Sequence, residues 1–225
     1  MGSASTDSLT DVRSAYLDAL LGHDEARARE VVDGALQAGV DARAMYLEVL
    51  TPALHEIGER WAAGRLSVAA EHFASVITHR VLTLLGERMR VPPRDGRLAV
   101  VACTPGELHE LGALMIADFL EAEAWEVLRL GASMPVDALA ELVAEERPDV
   151  VALSTAMGDR LEGAADALQA LGEVRPRPLI VVGGSGWGPR AAKQASALGA
   201  DLVVDDPGTL VDVLSSRFPP VDDQP

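Results

Sequence analysis

The feature that most constrains the fold of this chain is an abrupt change in the spacing of its apolar residues near residue 91. Before that point, over 7–90, apolar side chains recur at helical spacing without strand-like alternation. Beyond it, short runs rich in β-branched residues alternate with helical stretches, as in parallel sheets joined by helices. The segment 91–96 reads Val-Pro-Pro-Arg-Asp-Gly, and it cannot continue a helix because proline lacks an amide proton. The sequence therefore predicts a helical domain over 1–90, a linker over 91–96 and a sheet domain over 97–216.

The first domain has room for four helices, packed as a small bundle. Asp24 and Asp41 are suitable N-caps for the second and third helices, and Gly39 and Gly64 are expected to end them. Ser67 is expected to open the fourth helix. We expect the apolar residues of that helix to point into the bundle, and they are Val68, Phe73, Val76, Ile77, Val81, Leu84 and Leu85.

The second domain is expected to be a flavodoxin-like, doubly wound sheet of five parallel strands. The gaps between its apolar runs are long enough for right-handed helical crossovers. Ligands of such sheets bind beyond the carboxyl ends of the strands. The final residues, 217–225, are acidic and rich in proline, and we expect a disordered tail. The predicted strands cover residues 98–103, 126–130, 150–153, 179–182 and 202–204.

Composition excludes several classes of function. The chain carries 19 basic and 35 acidic residues, a formal net charge of −16, and this surface would repel a nucleic-acid backbone. We therefore expect no direct nucleic-acid partner. No apolar run approaches the roughly 20 residues of a membrane span, and no secretion signal opens the chain, so we expect a cytoplasmic protein without a membrane partner. The single cysteine, Cys103, cannot form a disulfide within the chain and is expected to be a core residue.

A histidine lies in the loop after the first predicted strand, at the edge where ligands bind. In this loop Glu107 precedes His109 by two residues, and Leu108 lies between them. A carboxylate at that spacing can accept a hydrogen bond from one ring nitrogen and leave the other to bind a metal. Gly112 removes a side chain one helical turn further on, which would let a flat macrocycle approach the backbone. A loop histidine paired with an acid for solubility is the plainer interpretation of the same residues.

Two further motifs lie at the same edge of the predicted sheet. The third strand ends at Ser154-Thr155-Ala156, and the fourth ends at Gly183-Gly184. Together with the histidine loop, this pattern resembles that of the cobalamin-binding domains over 97–216. The resemblance implies that His109 replaces the cofactor's own base below cobalt, that Ser154 hydrogen-bonds the displaced nucleotide tail, and that the two glycines make room for the tail.

The sequence departs from that family pattern at two positions. Glu107 stands where most members have aspartate, and Ala156 occupies the last place of the serine motif. We expect the first change to preserve the hydrogen bond and the second to alter only packing. Trp187 follows the paired glycines, and it is expected either to cover the cofactor tail or to pack on the surface.

A second constellation spans the junction of the third and fourth predicted helices. Ordinary bundle core is its plainer interpretation. Trp61, followed after nine residues by Glu71-His72, resembles the cap of adenosylcobalamin-dependent photoreceptors of the carotenogenesis-repressor type. The resemblance implies that Trp61, Val68, Glu71 and His72 form a pocket for the upper ligand of cobalt. Adenosylcobalamin is then the expected cofactor, with methylcobalamin or hydroxocobalamin as alternatives.

Two departures from the photoreceptors affect the expected mechanism. No DNA-binding helix-turn-helix segment precedes the bundle in this sequence, so we expect a stand-alone sensor. Ala62 follows the tryptophan, where well-studied photoreceptors have a histidine that captures cobalt after light, and alanine offers no lone pair. We expect water to take that position, while His72, His55 and His79 are the imidazole alternatives.

Three functions are compatible with these motifs. The first is a cobalamin light sensor, not an enzyme, that signals through self-association or a separate regulatory protein. The second is a corrinoid carrier protein of a methyltransferase system, and the third is a cobalamin storage protein. Glu107 and Ala113 replace the aspartate and the frequent lysine of the carriers, and the Trp61 to His72 pattern favours the sensor.

Overall fold

The computed structural model describes residues 6–93 and 96–219, with side chains described for all of these except 6, 7 and 189–192. The chain divides into two compact units, Met1–Arg88 and Met89–Pro225. None of the helices in the described ranges combines the length and apolarity needed to cross a bilayer.

The first unit is helical, as the sequence predicts. Its third helix is continuous but changes character, since a π-helical turn separates two α-helical parts. The π turn ends two residues before Pro52, whose missing amide proton cannot complete the α-helical bond to the carbonyl four residues earlier. The elements are α1 (Thr6–Leu21), α2 (Glu25–Gln37), α3 (Ala42–Ala44), the π turn (Met45–Leu50), α4 (Thr51–Ala62) and α5 (Val68–Met89).

The helix ends follow the predicted capping residues. The Asp24 carboxylate accepts from the Arg27 amide at 2.9 Å, and the Asp41 carboxylate accepts from the amides of residues 43 and 44. The Ser67 hydroxyl accepts from the Ala70 amide at 3.2 Å and opens α5. Gly39 and Gly64 both adopt positive φ just beyond their helices, a conformation that favours glycine.

The prediction for the apolar face of α5 is partly wrong. Ile77, Val81 and Leu85 are buried and share one face of the helix, as predicted. Val68 and Val76, however, are 55% and 52% exposed, and Phe73 and Leu84 also lie among the exposed apolar residues. Small and polar residues, such as Ala74 and Thr78, occupy part of the buried face of this helix. Some of its apolar residues therefore lie outside that face. The buried Thr78 hydroxyl is 3.0 Å from that of Tyr16.

The second unit is a five-stranded parallel sheet in the order β2-β1-β3-β4-β5, with a helix following each strand. The predicted strands end within one residue of the observed ones. This is the predicted doubly wound architecture. Its elements are β1 (Leu98–Cys103), α6 (Leu111–Ala122), β2 (Glu126–Gly131), α7 (Val136–Glu146), β3 (Val150–Ser154), α8 (Leu161–Glu173), β4 (Leu179–Gly183), α9 (Pro189–Ala197), β5 (Leu202–Val204) and α10 (Pro207–Arg217).

Two hydrophobic cores lie in this unit, and alternate residues of the strands contribute to each. One core joins the sheet to α6 and α10, through residues such as Ile116 and Leu214. The other joins it to α7 and α8, through residues such as Val143 and Leu168. Both sides of the sheet are therefore covered, and its carboxyl edge remains for a ligand.

The predicted disordered tail over 217–225 begins with residues that have defined contacts. Phe218 packs edge-on against Trp125 with ring centroids 5.5 Å apart, and its carbonyl accepts from Arg97 at 3.1 Å. The predicted disordered tail is therefore wrong for Phe218. Residues 220–225 of that prediction lie outside the described residues.

A network of charges connects the beginning of this unit to α6. Arg90 donates to the Glu121 carboxylate through two nitrogens, at 2.7 and 2.9 Å, and the Val91 amide donates to the Glu121 carbonyl. Arg129 on β2 contacts Glu121 and Asp118, and both acids are more than nine-tenths buried. Burial would raise the pKa of Glu121, but the two arginines outweigh that effect and lower it.

Candidate functional site

The predicted histidine loop lies between β1 and α6, at the carboxyl edge of the sheet. Gly106 turns the chain with a φ of +78°, and its amide donates to the Ser133 hydroxyl at 3.2 Å. The Ser133 amide in turn donates to the Glu107 carbonyl at 2.8 Å. The loop after β2 therefore holds the histidine loop from one side.

Glu107 is the most heavily bonded residue of this loop. Its side chain is 1% exposed, and its carboxylate accepts four N–H groups. One oxygen takes the His109 amide at 2.8 Å and ring Nδ1 at 2.5 Å. The other takes the amides of Ala156 and Met157, at 2.9 and 2.8 Å. Glu107 thus joins the loop after β1 to the loop after β3.

The electrostatics keep this carboxylate ionised. Burial would raise the pKa of Glu107, but hydrogen bonds from His109 and Met157 outweigh burial and lower it from its usual value. The neighbouring Cys103 thiol behaves oppositely, since burial and the nearby carboxylates raise its pKa to about 12. Cys103 is therefore a buried, protonated core residue, as predicted.

The contact with Glu107 determines which nitrogen of His109 is available. An ionised carboxylate can only accept, so the ring donates through Nδ1, and the neutral ring carries its lone pair on Nε2. The His109 side chain is 46% exposed, and Leu108 beside it is 72% exposed. The site therefore presents one oriented imidazole nitrogen next to an exposed apolar side chain. This geometry suits a metal ligand with a second partner behind it.

No group of three or more His, Cys, Asp or Glu side chains that could hold a metal occurs in the described part of the chain. A metal at His109 would therefore need to bring most of its own ligands. A corrin ring does so.

A small cradle lies beside the histidine loop, between α6 and β3. Gly112 is the second residue of α6, and a Cβ atom there would lie 3.1 Å from the Ser154 hydroxyl oxygen. Ser154 ends β3 and is 2% exposed, and the glycine at position 112 keeps the space beside its hydroxyl free of a side chain. The residues present therefore fit a cofactor whose polar tail reaches β3.

The paired glycines after β4 have a structural reason of their own. A Cβ atom on Gly184 would lie 2.4 Å from the Thr155 carbonyl oxygen, and one on Gly183 would lie 2.8 Å from that of Val204. The glycines therefore let the loops after β3, β4 and β5 pack backbone to backbone. That these glycines also make room for a nucleotide tail stays a prediction.

Trp187 is buried, so the prediction of a surface packing residue is wrong. Trp187 is 7% exposed and belongs to the core that the sheet shares with α7 and α8. Gly112 lies on α6, which packs in the other core of this unit. Its indole nitrogen has no hydrogen-bond acceptor within the described chain.

The four predicted upper-pocket residues lie in the helical unit, on α4 and α5. Trp61 is half-buried near the end of α4, and Val68 is an exposed residue at the start of α5. Glu71 and His72 contact each other, with Oε2 to Nδ1 at 2.7 Å. Ser75, which the sequence motif does not include, donates its hydroxyl to the other Glu71 oxygen at 2.8 Å. Its spacing of four residues from Glu71 on a helix could have indicated this contact.

The fold and the site define a class of protein, one in which a parallel sheet presents a single oriented histidine at its carboxyl edge. Residues 97–214 match the B12 binding domain family, and residues 12–85 match a second family that is also described as a B12 binding domain. The chain belongs to the B12-binding protein family.

Individual relatives fall into two groups. The HTH-type transcriptional repressor CarH of Myxococcus xanthus is 38% identical over 77% of this chain, and CarA of the same organism is 38% identical over 69%. This chain spans 57% and 52% of those proteins. The trimethylamine corrinoid protein of Methanosarcina barkeri is 28% identical over 82% of this chain and 86% of its own length.

The fold resembles that of a solved corrinoid protein. The monomethylamine corrinoid protein of Methanosarcina barkeri matches with a TM-score of 0.83 at 18% identity, over 93% of this chain and 99% of that protein. At this identity the likeness shows the fold alone, which is a helical region followed by a five-stranded parallel sheet.

Proposed function

We propose that this chain is a cobalamin-binding light sensor that signals through a change in its protein contacts. The observation that carries the proposal is the pair of carboxylate-held histidines. One is Glu107 with His109 in the sheet unit, and the other is Glu71 with His72 in the helical unit. The first suits the lower side of a corrin, and the second belongs to the motif that resembles the upper pocket of adenosylcobalamin-dependent photoreceptors.

In the sheet unit, His109 would be the lower axial ligand of cobalt, with Glu107 fixing its ring. The four bonds to Glu107 hold the imidazole in one orientation before any ligand arrives, which reduces the entropic cost of binding. Ser154 would donate its hydroxyl to the displaced nucleotide tail, and Gly112 would leave space beside it. Leu108 and the backbone at Ala156, Gly183 and Gly184 would line the remaining pocket.

In the helical unit, Trp61, Val68, Glu71 and His72 would contact the upper ligand. The bound cofactor supplies the photochemistry, because visible light breaks the bond between cobalt and an alkyl ligand. Loss of contacts with that ligand would change the preferred arrangement of these side chains and so alter the protein's surface. Adenosylcobalamin is the cofactor that this set of residues favours. The output would be self-association or binding to a separate regulatory protein.

A single experiment tests the proposal. The protein is reconstituted with adenosylcobalamin in the dark, and its absorption spectrum and size-exclusion elution are recorded before and after green light. We expect a spectrum with an imidazole below cobalt in the dark and a changed elution volume after illumination. Photolysis of the cofactor without any change in elution, alone or with candidate partners, would contradict the sensor function.

A corrinoid carrier of a methyltransferase system is the second candidate. It is favoured by the relationship to the trimethylamine corrinoid protein, which this chain matches over 86% of that protein's length. A carrier should accept a methyl group from a methyltransferase in the dark and return it. Stable methylation of the reconstituted protein by such an enzyme, with no response to light, would favour this function over the sensor.

A further inference from the structure

Glu71 is held in place from two directions on the surface of α5. Ser75, one helical turn further on, donates its hydroxyl to Oε1 at 2.8 Å, and the His72 ring lies 2.7 Å from Oε2. Adjacent residues on a helix do not normally face each other. The Glu71 carboxylate must therefore be turned to reach the ring of the next residue, and the bond from Ser75 fixes that turn. The Glu71 side chain is 14% exposed.

The consequence is a defined presentation of the neighbouring imidazole. Because the carboxylate accepts, His72 donates through Nδ1, and the neutral ring keeps a lone pair on Nε2. The ring is 73% exposed, so that nitrogen is accessible. Val68 and Val76, four residues before and after it, are 55% and 52% exposed. The surface is therefore one hydrogen-bond acceptor between two apolar side chains.

We propose that Ser75 is a positioning residue that fixes Glu71, and through it the tautomer of His72, so that Nε2 accepts a hydrogen bond from the upper ligand. This inference rests on the proposed function. An adenosyl group has apolar ring faces together with hydroxyl and amino donors, whereas a methyl group has no donor. Ser75 thereby contributes to selection for adenosylcobalamin without touching it.

The first test needs no cofactor. The ring nitrogens of His72 are assigned by ¹⁵N NMR in the cofactor-free wild type, Ser75→Ala and Ser75→Thr. Wild type should show mainly the tautomer protonated at Nδ1, Ser75→Ala should shift toward a mixture, and Ser75→Thr should restore the wild-type signal. Thr83→Ala is the matched control, because the Thr83 hydroxyl on the same helix bonds to the His79 carbonyl and not to Glu71. An unchanged tautomer in Ser75→Ala would overturn the proposal.

The second test measures selectivity as the ratio of affinities for adenosylcobalamin and methylcobalamin. Ser75→Ala should lower that ratio about two- to tenfold, as expected for one weakened hydrogen bond, while Thr83→Ala should not. A wild type that prefers adenosylcobalamin and a Ser75→Ala variant with the same preference would refute the role of Ser75. A wild type without any preference would instead count against the upper-pocket part of the proposed function, and the tautomer measurement would still decide how Ser75 acts.

Discussion

Replacing Glu107 by glutamine is the most informative single change, because it keeps the size of the side chain and removes its charge. The carboxylate accepts four N–H groups, two on each oxygen. A glutamine offers one oxygen, so its NH₂ group must face two donors. If the oxygen stays with His109, the amides of Ala156 and Met157 lose their acceptor and remain without a partner.

The magnitude follows from those lost bonds. Hydrogen bonds to a charged group contribute about 1.5–3 kcal/mol each, so two of them amount to about 3–6 kcal/mol. Removing the buried charge also removes its desolvation penalty, which offsets part of this loss. We therefore expect Glu107→Gln to lower the free energy of unfolding by about 2–4 kcal/mol and to weaken cobalamin affinity about tenfold to a hundredfold.

Urea unfolding of the cofactor-free protein, followed by circular dichroism, measures the first effect, and a spectroscopic titration with hydroxocobalamin measures the second. Glu126→Gln is the matched control, since Glu126 is exposed on β2 and its replacement should change stability by less than about 0.5 kcal/mol. If Glu107→Gln were no less stable than this control, the carboxylate would not hold the two loops together.

The same substitution should also change the response to acid. The pKa of Glu107 is lower in the folded protein than its ordinary value of 4.5. The stabilisation from this carboxylate is therefore complete above that value and is lost as the pH falls through the lower folded-state pKa. Unfolding curves measured from pH 6 downward should show this loss in wild type and not in Glu107→Gln.

Three further variants test the cofactor assignments. His109→Ala should abolish tight cobalamin binding or leave the cofactor's own base on cobalt, and an unchanged absorption spectrum would exclude His109 as the ligand. Trp61→Ala should reduce the preference for adenosylcobalamin over smaller upper ligands while hydroxocobalamin still binds. Unaltered selectivity would mean that Trp61 only packs within the helical bundle. Ala62→His should acquire, after illumination, a stable spectrum with an imidazole on each face of cobalt. That spectrum in the wild type, persisting in His72→Ala, would show that position 62 does not determine the product.

The sheet could be predicted closely because its signals are local. The three central strands, β1, β3 and β4, are short runs of mostly buried apolar residues, and parallel strands buried on both faces leave few alternatives. The spacing of Glu107 and His109 also predicted their contact correctly. The amides of Ala156 and Met157 could not be predicted as partners, because that contact depends on how two loops distant in sequence pack together.

Two of the errors share one physical cause, which is that apolar character does not determine where a residue lies. Val68 and Val76 are as apolar as Val81, but they lie on a part of α5 that the bundle does not cover. Trp187 follows glycines in a loop, yet it is buried in the core with α7 and α8. Helical spacing identifies a helix, while the face that is covered depends on tertiary packing.

The charge network at Arg90 bears on where the sheet unit could be separated from the rest of the chain. A fragment beginning at residue 97, where the strand pattern starts, would lose the arginine that donates twice to Glu121. The buried Glu121 carboxylate would then keep only one of the two guanidinium groups that lower its pKa, and a poorly balanced charge in a buried position is costly. The shortest stable fragment of the sheet unit is therefore expected to begin at or before Arg90. This start lies seven residues before residue 97, where the strand pattern begins.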